Sequence, residues 1–183
     1  MKYILLFMGT MLLSSCWKFN SGYLPPQPQQ KVWGSKPVYA AKSAAEKISY
    51  TDQKHPNIQP GNIYAFGKFI FQVDVGRGIH VIDNAVPSQA DRIGFITVNG
   101  CEQISIKGNY LYTNSFADLI TLDISNPARV NEVSRVRNAF PELMYNYPLV
   151  QPQESGYYNC PQQLDSVVIG WVKDSIFTSC YKN

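Results

Sequence analysis

The sequence predicts an all-β protein: two propeller-like, four-stranded antiparallel blades, one short N-terminal helix before them, and an irregular aromatic-rich C-terminal segment after them. Three observations carry that expectation. From Asn62 to Phe140, β-branched and aromatic runs alternate with Gly, Asn and Asp, giving eight strand-like segments ("NIYAF", "KFIFQVDV", "IHVID", "RIGFITV", "QISIK", "NYLYTNS", "LITLDI" and "EVSRVR"). Two of them recur as a longer phrase, "GIHVIDNAVP" at 78–87 and "DLITLDISNP" at 118–127, each with an Asp followed four residues later by a Pro. The chain also aligns with itself. Ile63 matches Ile104 and Gly67 matches Gly108 at an offset of 41; beyond one hairpin loop, Asp83 matches Asp123 and Pro87 matches Pro127 at an offset of 40. A period near forty with four strands per unit is the arithmetic of a propeller blade. A β-sandwich explains the strand count but not the fixed period.

Residues 1–16 read as a targeting segment. Lys2 supplies a positive start, Tyr3 to Leu13 an apolar stretch, and "LSSC" ends at Cys16. A stretch this short does not span about 30 Å of hydrocarbon, so it reads as a signal peptide. Leu13-Ser14-Ser15-Cys16 resembles the lipobox of bacterial lipoproteins, which makes Cys16 the expected lipidation site and the lipid the expected membrane contact. Residue 17 is Trp rather than Asp, so the inner-membrane retention signal is absent and the outer membrane is the expected location. The sequence leaves open whether the protein faces the periplasm or the surface.

Residues 17–36 are polar and rich in Pro and Gln, the composition of a flexible tether. In 37–60, "PVYAAKSAAEKI" has Ala-rich helical propensity with Pro37 near its start, and "DQKHPNIQPGN" is a turn-rich lead-in. The two repeats then occupy 61–100 and 101–140. Residues 141–183 open with four Pro and four Tyr before residue 164, without sustained period. "SVVIGWV" at 166–172 is expected to be a strand, with "DSIFTSC" pairing back beside it. Two blades do not close a ring, so their open edges call for a cap from the helix and tail, or for a partner.

The formal charge of +3 and the scatter of Lys and Arg offer no nucleic-acid patch. With Cys16 assigned to lipid, Cys101, Cys160 and Cys180 remain in an oxidising compartment. Cys160–Cys180 is the expected disulfide because both lie in the C-terminal segment, leaving Cys101 over. No Cys or His spacing suits zinc, no D-x-D-x-D-G run suits calcium, and no G-x-S-x-G or phosphate loop is present, so no metal, cofactor or catalytic residue is assigned. Asp83 and Asp123 are expected to shape strand-exit turns with Pro87 and Pro127, as Asx-turn acceptors rather than a carboxylate dyad. Asp74 and Asp118, beside the strand-connecting loops, are expected to be solvated, and His80, alternating with Ile79 and Val81, to point to solvent. Tyr145, Tyr147, Tyr157, Tyr158 and Trp171 are the candidate binding aromatics, weighed against simple cover for blade edges.

The doubled Asp-ending strands resemble LVIVD repeats. "GNYLYTNSFADLITLDISNP…RVRNAFP" together with "GYYNCPQQ…VVIGWV…CYK" is similar to a group of LVIVD-repeat lipoproteins of the Bacteroidota, over roughly Val38 to Tyr181. That resemblance implies a propeller-like outer-membrane lipoprotein of uncharacterised function, here a short member, with no established catalytic residues. It also brings up "DSV" at 165–167 and "DSI" at 174–176 as D-S-hydrophobic acceptors, with Ser166 and Ser175 as candidate O-glycosylation sites. The function expected is a non-enzymatic, lipid-anchored interaction module that binds an envelope protein or itself through open blade edges. The alternative is a carbohydrate-binding surface lipoprotein using the tail aromatics. A hydrolase has only fold analogy behind it.

Overall fold

The computed structural model describes residues 30–144, 146–162 and 165–183. Cys16 and Tyr145 lie outside them. The fold is mostly β, in three open sheets.

The first repeat unit contributes β3 (Pro60–Phe66), β4 (Phe69–Asp74), β5 (Gly78–Asp83) and β6 (Asp91–Thr97), joined as an antiparallel meander. A fifth strand, β2 (Ser49–Thr51), adds to the outside of β6, so this sheet runs β2-β6-β5-β4-β3 rather than stopping at four. The second unit repeats the meander with β7 (Ile104–Lys107), β8 (Tyr110–Ser115), β9 (Asp118–Asp123) and β10 (Asn131–Val136), with no fifth strand among the described residues. The first hairpin of each unit turns on a glycine, Gly67 or Gly108, each at φ +58°. A two-residue loop must take positive φ there to match strand twist, which glycine does without a Cβ penalty.

The two sheets pack face to face. Phe71, Val73, Ile79, Val81 and Ile96 of the first meet Ile104, Ile106, Leu111, Ile120 and Leu122 of the second in one core. Alternation along β5, β8 and β9 supplies every second side chain to it. Each pair of neighbouring core side chains removes apolar surface from water at about 25 cal/mol per Å², which holds the sheets together. At one edge, β3 and β7 are joined by side chains. Asn62 donates to the Ile104 carbonyl at 3.0 Å and accepts its N–H at 3.2 Å, and the Tyr64 hydroxyl donates to the Ile106 carbonyl at 3.0 Å.

Most of the departures from the sequence reading lie in the third sheet, ordered β12-β1-β11-β13. β1 (Gln30–Ala41) takes residues 30–36 from the expected tether and 37–41 from the expected helix. Only Lys42–Ala45 is helical, a single turn, α1. Local Ala propensity is worth tenths of a kcal/mol per residue, whereas β1 gains twelve paired positions along β12 (Ser166–Thr178). β12 is itself one continuous strand. "DSIFTSC" does not fold back beside "SVVIGWV" but extends it, because Lys173-Asp174 carries no turn-forming Gly or Pro. β11 (Gly156–Tyr158) and β13 (Cys180–Lys182) complete the sheet, so the tail is less irregular than its composition suggests. Cys160 and Cys180 are joined by a disulfide across this corner, with Cα atoms 5.7 Å apart. A second, smaller core of Ala45, Phe116, Tyr147, Leu149 and Val168 fastens the terminal sheet to the second unit. Among the described residues no helix is long and apolar enough to cross a membrane.

Candidate functional site

The repeated Asp corners come first. Asp83 Oδ1 accepts the Ala85 N–H at 2.9 Å, and Asp123 Oδ1 accepts the Ser125 N–H at 2.8 Å. Each is an acceptor two residues on, the geometry of an Asx-turn. The loops share a second bond: Gln89 N–H to Val86 carbonyl and Arg129 N–H to Asn126 carbonyl, both at 2.8 Å, with Pro87 and Pro127 one residue after each acceptor. Asp83 and Asp123 belong to different sheets and hold their own turns.

Asp74, Asp118 and His80 do not follow the sequence reading: all three are buried. His80 does point away from the core between the sheets, as its alternation requires. What the local pattern does not show is the cover. Residues 52–59 fold back as a strap over the outer face of the first sheet. His55 stacks on Phe95 with ring centroids 4.7 Å apart, and the Gln59 N–H donates to Asp74 Oδ1 at 2.7 Å. Lys54 pairs with Asp91 at 2.7 Å. Under the strap His80 is fully buried, edge-on to Phe95, with Nε2 4.0 Å from Asp74 Oδ2. Both ring nitrogens lack a hydrogen-bond partner. Burial and the nearby Arg92 lower the His80 pKa from its ordinary 6.5, against the pull of Asp74. Cys101 is also fully buried, and burial pushes its thiol up to about 12, which withholds the thiolate.

The second unit places an ionic cluster at the corresponding end. The Asp118 carboxylate accepts from Arg137 at 2.7 Å, Arg135 at 3.2 Å and the Asn138 N–H at 2.9 Å. Arg135 also grips Glu132 through two bonds and donates to the Glu46 carbonyl at 3.0 Å. Burial works against ionisation of Asp118, but these donors outweigh it and hold the carboxyl below its ordinary 3.8. The partners lie seventeen and nineteen residues away in sequence, so no local pattern announces them. The cluster ties the second unit to the end of α1 through Glu46.

Among the described residues no strap covers the second sheet. The face turned away from the core carries Ser105, Tyr110, Tyr112, Leu119, Thr121 and Val136 by register. Tyr110 is 45% and Val136 53% exposed. Phe140 and Leu143 rise at its rim and, with Tyr112 and Leu119, line a groove of about 320 Å³. Glu102 is the acidic residue in that lining, and burial raises its pKa. Among the described residues β10 pairs only with β9, which leaves its other side an open edge, and Val133 on it is 52% exposed.

The candidate aromatics of the tail separate. Tyr147 and Tyr158 line a cleft of about 560 Å³ together with Tyr39, which the sequence reading did not single out. Their polar ends are engaged or packed: the Tyr147 hydroxyl accepts the Val168 N–H at 2.8 Å, and that of Tyr39 accepts the Gln162 N–H at 3.1 Å. Trp171 lies edge-on to Tyr158 and donates to the Leu149 carbonyl at 2.8 Å. Tyr157 faces the other way, against Tyr181. Ser166 is half-buried at the start of β12, on the cleft wall, while Ser175 is exposed along the same strand. Among the described residues no three His, Cys, Asp or Glu side chains are grouped to hold a metal ion.

No curated protein and no solved structure matches the chain. The LVIVD repeat family does, over residues 101–138, a span that takes in all four strands of the second unit, its ionic cluster and its open edge. The second unit is an LVIVD repeat.

Proposed function

We propose that this is a lipid-anchored protein of the outer membrane whose repeats form a propeller-like, non-enzymatic module for binding another envelope protein. The observation that carries this reading is the uncovered second unit. Among the described residues its outer face and the β10 edge are open, while the equivalent parts of the first unit are closed by β2 and the strap. An exposed strand edge beside an apolar groove suits a partner that adds a strand and seats a side chain in the groove. Glu102 favours a partner side chain that is basic. Cys16 supplies the anchor in this reading. In this reading Cys101, whose thiol burial pushes up to about 12, and His80, buried under the strap, are given no catalytic role.

A photo-crosslinking residue placed at Val136 tests this in intact cell envelopes. A discrete adduct from Val136, absent when the crosslinker stands at exposed Ser88 in the first unit, is expected. No adduct from either Val136 or Tyr110 would remove the docking reading.

The cleft lined by Tyr39, Tyr147 and Tyr158 favours the second reading, carbohydrate binding. Retardation of the protein in polysaccharide-containing gels, relieved by Tyr39→Ala, is its signature. Glycosylation at Ser166 or Ser175 is read by intact mass on natively produced protein.

A further inference from the structure

We infer that the end of the terminal sheet where β1 begins rests on a lipid bilayer and inserts a belt of aromatic side chains into its interface. This rests on the anchored reading above, and it adds a second contact that depends on no acyl chain. Trp33 is 71% and Phe177 58% exposed, larger fractions than for the aromatic residues of either repeat unit. Register places them together: Trp33 pairs with Ser175 and Lys31 with Phe177, so Trp33 and Phe177 are diagonal neighbours on one face. Diagonal neighbours lie about 7–8 Å apart, within contact of large rings. Lys31 stands exposed beside them.

The opposite face at the same end also carries aromatics. Ser35 pairs with Tyr158 across β1 and β11, which sets Tyr157 level with Gly34, and Tyr157 pairs with Tyr181. Tyr157 is 41% and Tyr181 55% exposed, with their rings in edge contact. Four exposed aromatics therefore ring one end of one sheet, on both faces. A protein groove would engage one face. A bilayer interface takes a belt, because Trp and Tyr settle at headgroup level whichever way they point, and a Lys beside them reaches the phosphates.

The position of the chain agrees. The belt is at the end that residues 1–29 join, and with β1 starting at Gln30 only thirteen residues lie between that end and Cys16. The fourteen Cα-to-Cα steps from Cys16 to Gln30 reach no farther than about 50 Å even when fully extended.

The test uses the acylated protein extracted from membranes, with Trp17→Phe as background because residue 17 adjoins the anchor. It is reconstituted into vesicles of phosphatidylethanolamine and phosphatidylglycerol with plain or dibrominated acyl chains. Bromine quenches indole only at close range, and Trp171 is packed inside against Tyr158. Tryptophan emission is expected to fall about twofold in brominated vesicles, and Trp33→Tyr is expected to abolish that fall. Phe177→Ser should weaken it while leaving the fold intact, since its side chain is exposed. Equal emission in both vesicles overturns the inference, as does a glycan mass on Ser175, which would stand directly beside Trp33, or a Trp33 crosslink to protein alone. Intact mass of the extracted chain reports acylation separately. Acyl mass without quenching removes the belt alone, and Trp33-dependent quenching without acyl mass removes the anchor alone.

Discussion

The two repeat units share a period, a meander and an Asp-held exit turn, yet one is covered and the other is open. The difference comes from outside the repeats. Residues 46–59 supply β2 to the edge of the first sheet and the strap to its outer face, and nothing comparable among the described residues reaches the second. The repeat therefore sets the scaffold, and the flanking chain decides which copy is sealed. Matched positions show the same division. Gly78 lies against the Ile96 carbonyl and the Phe95 ring, so it has no room for a Cβ. Its counterpart Asp118 has space for a side chain and uses it to bind two arginines. The unit with the crowded strand is closed over a neutral His, and the open unit is braced by ions.

The sharpest way to break the comparison is through the brace. Asp118→Ala leaves the largely buried Arg135 without one of its carboxylates, and a cost of about 3–4 kcal/mol in urea unfolding is expected. Hydrogen exchange should quicken first around α1 and β10 rather than in the first unit.

Acid should separate the units next. His80 has a lowered pKa in the folded chain, so below the unfolded value of 6.5 the unfolded state binds more protons and stability falls with pH. Asp118 also has a lowered pKa, so its contribution is present above 3.8 and is lost only as pH drops below that. Two steps are expected, the first with a slope of up to about 1.4 kcal/mol per pH unit. It should be read in exchange of residues 52–59. His80→Gln is expected to remove the upper step and keep the lower one.

Asp83→Ala and Asp123→Ala test what the units share. Each loses one turn bond, so each should cost about 1 kcal/mol, and the two losses should match. A loss several times larger in one unit would show that its Asp does more than hold the turn. The smallest effect belongs to the open face. Val136→Lys should change stability by less than about 0.5 kcal/mol, while the adduct from a crosslinker at Tyr110 in the envelope disappears.

Much of the repeat architecture was legible because it is written locally. The Asp–Pro spacing, the hairpin glycines and strand alternation each act within one turn or one strand. The turn at Asp83 was readable from six residues, and its bonds fall where that spacing puts them. His80 shows where such reading stops. Its direction was legible, but its burial was not, since burial depends on a strap that Asp74 fixes from a different strand. Asp118 fails for the same reason, its arginines being supplied by the end of β10. β1 was hidden by its alanines, whose helical preference is too weak to resist a partner strand near the other end of the chain. The aromatic belt was missed because it exists only once β1, β11, β12 and β13 are side by side.

The pairing of β1 with β12 has a consequence for how the chain matures. Gln30 pairs with Thr178, so the first of the described strands to leave the ribosome waits for almost the last. Closing so long a loop is slow relative to forming the hairpins of the repeats, which fold on neighbours in sequence. Until then β1 is a twelve-residue strand with two free sides, a template for pairing with the wrong chain. Chaperones would meet the protein in that state, with its two repeats already formed and β1 still waiting.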